Sequence, residues 1–112
     1  MIAENFSELE ALGEKFAEAE SNRIYLLEYR KSLKAILMAQ AEADNPGVAL
    51  QKQERFAYSH KDYLELLQGI KAAVYQSAKL RHQIKVMDTR FETWRTKQAT
   101  KRAELTRLPS IT

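Results

Sequence analysis

The chain contains no cysteine. That excludes a disulfide framework, a thiol nucleophile and any cysteine-ligated zinc. Glycine and proline are scarce, three and two in 112 residues, which argues against a loop-rich or all-β fold and leaves room for long uninterrupted helices. The glycines are scattered (Gly13, Gly47, Gly69), so there is no Gly-rich phosphate loop. Histidine is limited to His60 and His82. Neither has a Glu or His three or four residues away, so the helical ligand spacing of metal sites is missing. Ser59 and His60 are sequence neighbours at a helix start, which does not make a nucleophile–base pair, and no catalysis, metal or cofactor is expected. The longest apolar-rich stretch, Ala35–Ala39, is far short of a membrane span. The N-terminus is acidic where a secretory signal would be basic and then apolar. The expectation is a soluble protein of the cytoplasm, with no membrane partner.

Long-range periodicity is present instead. Stepping by three and four in alternation from Tyr63 gives Leu66, Ile70, Ala73, Ser77, Leu80, Ile84, Met87, Phe91, Trp94, Gln98, Lys101 and Leu105. Ten of these thirteen positions are apolar or aromatic, and such a heptad seam predicts one long amphipathic helix over about 60–106. A weaker seam, Leu9, Leu12, Phe16, Ala19, Arg23, Leu26, Arg30, Leu33, Leu37 and Gln40, predicts a first helix over about 3–43. Between them, Asp44-Asn45-Pro46-Gly47 supplies a capping acid, a helix-incompatible proline and a permissive glycine. Pro46 can open a short helix over Val48–Ala57, with Val48, Phe56 and Tyr58 as candidates to cover the hairpin end. Ser59 then reads as an N-cap, with Asp62 three residues on. Residues 107–112 read as a frayed tail.

Helices of ~60 and ~70 Å at 1.5 Å per residue, joined by a short connection, form an antiparallel hairpin most simply. The fold class is therefore all-α: two long helices and a short connecting helix in one domain, 1–112. Charge supports the pairing. Residues 1–22 carry six acids and one base, and residues 79–112 carry nine bases and three acids. An antiparallel hairpin lays these halves side by side, so the basic face should pair with the acids of helix one.

Apolar residues off the first seam, including Tyr25, Leu27, Tyr29 and Ile36, call for a further partner. A two-helix core is thin. The expectation is a homodimer, a four-helix coiled-coil bundle with Ile24, Leu27, Leu33 and Ile36 at its interface. For nucleic acid the candidate contacts are Arg81, Lys85, Arg95, Lys97, Lys101 and Arg102, interleaved with Phe91 and Trp94. The competing reading makes Phe91 and Trp94 core residues of the seam and the bases a solvated face. The acidic series Glu4, Glu8, Glu10, Glu14 and Glu18 could mimic a phosphate backbone, but acids near a helix N-terminus need no such reason.

The stretch Phe56-Ala-Tyr-Ser-His-Lys-Asp-Tyr-Leu-Glu-Leu-Leu, the run Lys79-Leu-Arg-His-Gln-Ile, and above all Trp94-Arg-x-x-Gln-Ala-x-x-Arg-Ala-Glu resemble small helical proteins encoded by tailed bacteriophages and prophages. The likeness covers the second half of the chain. It implies an intracellular bacterial host and an early or accessory phage role, in the company of recombination genes, and carries over no activity and no site residue. Together these readings give a non-catalytic helical interaction protein, a binder or modulator of a host or phage protein in DNA metabolism or host takeover. The alternatives are nucleic-acid binding through the basic end of helix two and a structural coiled-coil spacer.

Overall fold

A computed structural model describes residues 2–107, with side chains from residue 6 onward. Three helices follow in order: α1 (Ile2–Asp44), α2 (Leu50–Ser59) and α3 (Lys61–Arg107). The long helices form an antiparallel hairpin, a rod of 97 × 22 × 15 Å. The expected all-α hairpin with a short connecting helix is what the chain forms, and its boundaries agree within two residues.

Three contacts fix the register. The Phe6 and Phe91 rings stack at 4.6 Å. The Arg81 guanidinium lies 5.5 Å from the Phe16 ring. The Ser77 hydroxyl donates to Glu20 Oε2 at 2.5 Å. Each step forward along α1 is matched by a step back along α3. The seam explains why: Tyr63, Ile70, Ala73, Ser77 and Leu80, all on it, are the buried residues of α3. Near the turn, Leu33, Leu37, Ala57 and Tyr63 form a core cluster, with Met38, Phe56 and Leu66 packed around it.

The turn is fastened differently from the sequence expectation. Glu42, two residues before Asp44, accepts the Gly47 amide at 3.2 Å and the Gln53 side-chain amide at 2.9 Å. Gly47 sits at φ +83°, a left-handed conformation that glycine adopts without a Cβ clash. Pro46 lies in the turn, and the short helix starts later than expected, at Leu50. Ser59 does not cap α3. It is the last residue of α2, and its hydroxyl bonds back to the Arg55 carbonyl at 2.7 Å. His60 does the capping. Its backbone is extended, and its Nδ1 accepts the Asp62 amide at 3.0 Å, which satisfies one of the free donors at the start of α3. The chain is thus broken at His60 between α2 and α3, and both pack on α1 near the turn. Lys34 of α1 holds α2 from the side, with its ammonium 4.9 Å from the Tyr58 ring.

Ser77 is the one buried polar residue of the rod among the described residues, and its partner Glu20 sits on the seam's edge. Glu20 also accepts Arg23 Nε at 3.1 Å and a second Arg23 nitrogen on its other oxygen. The Arg23 hydrogen bonds first, then the one from Ser77, hold this carboxyl down to about 2, against burial, which acts the other way; the charges of Arg23 and Arg81 add to the lowering. A carboxyl with a folded value below its ordinary 4.5 stabilises the fold above that ordinary value, and the contribution is lost as pH falls towards 2. The thermal midpoint is therefore expected to fall between about pH 4.5 and pH 2, and Glu20→Gln to shrink that fall relative to wild type. An identical acid profile in the variant would refute the assignment.

Candidate interaction surfaces

Two surfaces of the rod carry side chains that the hairpin itself does not satisfy. The first is the far end of α3. Because Phe6 lies level with Phe91, Ile2 lies level with about residue 95, and the last turns of α3 run past it. Phe91 is half-buried against Phe6, as the seam reading expected. Trp94 is 41% exposed and Leu105 66% exposed, so there the expectation of a buried seam is corrected: Trp94 lies level with the first turn of α1, and Leu105 lies where no described residue of α1 is beside it.

The six candidate nucleic-acid contacts Arg81, Lys85, Arg95, Lys97, Lys101 and Arg102 are all exposed. The structure does not gather them into one stripe. Lys97 and Lys101 border one hollow beside Trp94, with Thr96, Thr100 and Glu104. Arg95 and Arg102 border another on its other flank. Both hollows are walled by α3 alone, so they are open sides of a helix rather than an enclosed cavity. Arg81 lies further back, over Phe16.

The expected pairing of these bases with the acids of α1 is also corrected. Among the described residues, the ion pairs are local: Arg23 with Glu20, Lys31 with Glu28 at 3.4 Å, Lys61 with Glu65 at 3.8 Å, Arg95 with Glu92 at 3.4 Å, and the His60–Asp62 contact at 3.9 Å. The physical reason is geometric. Glu10 and Glu14, four residues apart, stand on the back of α1, away from its seam, and Glu18 borders the groove opposite Gln76 and Leu80 rather than a base.

The second surface is the middle of the rod. Ile24, Tyr25, Tyr29 and Ile36 of α1, and Leu64, Leu67, Val74 and Tyr75 of α3, are 37–66% exposed. The register puts these two sets at the same level of the hairpin. They do not share one side. A groove lined by Lys15, Glu18, Ala19 and Asn22 of α1 with Gln76 and Leu80 of α3 marks one face of the rod. Tyr25 and Tyr29, three and seven residues after Asn22, fall on that face; their rings are 6.2 Å apart. Ile24 and Val74 are each two residues from a groove residue, about 200° around the helix, and so fall together on the opposite face.

The four proposed interface residues separate accordingly. Ile24 and Ile36 are exposed, on different sides of α1. Leu27 is half-buried. Leu33 is buried at 7% within the hairpin's own core, so it is not available to a second chain; its seam position already pointed inward. The α3 half of the surface was missed, although Leu64, Leu67, Val74 and Ala78 recur at helical spacing off the main seam.

Among the described residues no group of three or more His, Asp or Glu is placed to hold a metal ion, and no helix is long and apolar enough to cross a membrane. The fold and its surfaces define a class, the all-α helical hairpin with exposed apolar and basic helix faces. No protein-family model, curated protein or solved structure matches the chain.

Proposed function

We propose that this chain is a non-catalytic interaction protein that works as a homodimer and binds another macromolecule through its helix faces. One observation carries the reading: eight large apolar side chains stand exposed at one level of a rod only 15 Å thick. Exposed apolar side chains in that number, spread over two sides of so small a helical rod, support a docking role. The resemblance to phage-encoded helical proteins suggests the setting, the cytoplasm of a bacterial host, and the partner, a host or phage protein whose activity is modulated. Sedimentation equilibrium tests the first step. The expected mass is twice that of one chain, and a single-chain mass at every soluble concentration would remove the homodimer.

A second reading is favoured by Trp94, which stands exposed among Arg95, Lys97, Lys101 and Arg102 rather than buried. An indole face among cations can stack a base while the cations hold phosphates. Retention on single-stranded DNA is then expected at low salt and lost as salt rises, with a log–log slope of about −0.7 per phosphate contacted. Replacing Lys97, Lys101 and Arg102 with Gln should flatten that slope. No retention at low salt would sink this reading and leave the first untouched.

A further inference from the structure

We infer that the second copy docks on the face bearing Ile24, Leu27, Leu67 and Val74, with both hairpins pointing the same way, so that α1 of each protomer lies along α3 of its partner. The inference rests on the homodimer proposed above and adds its face and its orientation.

The face follows from chemistry. The groove side of the rod carries the polar groups Lys15, Glu18, Asn22 and Gln76 beside Tyr25 and Tyr29, whose rings each end in a hydroxyl, so no aliphatic patch spans both helices there. On the opposite side helical spacing brings Ile24, Leu27 and Ala35 of α1 beside Leu67, Val74 and Ala78 of α3. A face 22 Å wide needs on the order of 40 Å of rod to supply ~800 Å² per partner, the usual area of a stable interface, and the rod is 97 Å long.

Charge selects a second copy and its direction. The front half of α1 is acidic and the back half of α3 basic, yet the ion pairs among the described residues stay within one helix or one cap. The hairpin therefore presents opposite charges to its surroundings on two neighbouring ridges. A reversed copy would set α1 on α1 and α3 on α3 with their ends exchanged, so the acidic front half of α1 would meet the turn-side half of the partner's α1 and the basic end of α3 the start of the partner's α3, and the two charged halves would not meet. A copy pointing the same way sets α1 on α3. In the hairpin's own register, Ile24 then comes level with Val74 of the partner subunit, Ala35 with Leu64 of the partner subunit, Glu28 with Lys71 of the partner subunit, and Glu10 with Lys85 of the partner subunit. Every neighbouring pair of helices in the bundle is also antiparallel, which sets helix dipoles favourably.

The absence of native cysteine makes the test clean. Chains carrying Ile24→Cys are mixed with chains carrying Val74→Cys and oxidised. Both positions are exposed in the hairpin, so each variant should keep wild-type helicity by circular dichroism. The expected result is a disulfide-linked two-chain product from the mixture and none from either variant alone, because like positions sit diagonally apart. A product from Ile24→Cys alone, or from Ile24→Cys mixed with Ala35→Cys, requires α1 against α1 and overturns the orientation. No product from any mixture, while the wild type sediments as a dimer, overturns the face. A monomeric wild type removes the homodimer itself, which separates that failure from the other two.

Discussion

Leu37→Ala is expected to cost about 3 kcal/mol of folding stability, read as a lower urea midpoint by circular dichroism at unchanged slope. Leu37 is 2% exposed and sits in the cluster with Leu33, Ala57 and Tyr63. Here α1 is covered from two directions, by α2 and by the start of α3. Elsewhere the rod has one seam between two helices, and a truncated side chain can be backed by water from the open faces. At Leu37 it cannot, so the variant leaves a cavity that its neighbours close only in part. A loss below ~1 kcal/mol would mean that α2 collapses onto the space, and that the cluster is looser than its burial suggests.

Ala57→Leu should be destabilising for the opposite reason. Ala57 is fully buried in a helix of ten residues wedged against α1. Extra carbon atoms there must push α2 off α1, at a cost of about 1–3 kcal/mol. The displacement should also break the stacking of Lys34 on Tyr58, so the near-ultraviolet signal of Tyr58 should change along with the midpoint. A variant as stable as wild type would show that the junction has slack.

The two substitutions probe the part of the fold that sequence reading described least well. The long seam was legible because a heptad repeat reports which side of a helix is buried. Tyr63, Ile70, Ala73, Ser77 and Leu80 were found that way. A repeat does not report how far the partner helix extends, and so Leu105 read as part of the seam although no described residue of α1 lies level with it. The three-way junction was harder. Its cap is His60, a residue type outside the usual Ser, Thr, Asp and Asn set, beside a serine that looked the better candidate but spends its hydroxyl on the preceding turn. Charge asymmetry was visible, but its use was misjudged. Net charge per segment does not say whether Glu10 and Glu14 face the seam or the back of the helix. Leu33 could have been assigned correctly, since it lies on the first seam.

The antiparallel register also dictates an order of assembly. Contacts near Gly47 close short loops, while Ser77 with Glu20 spans 57 residues and Phe6 with Phe91 spans more. Chain entropy charges more for each larger loop unless the smaller ones are already shut. The hairpin should therefore zip from the turn outward, starting at the Leu33, Leu37, Ala57 and Tyr63 cluster, and it should open in reverse. Amide hydrogen exchange would then slow steadily from the Phe6–Phe91 end towards the turn, making the rod a graded spring whose loosest coils carry both its most acidic and its most basic segments.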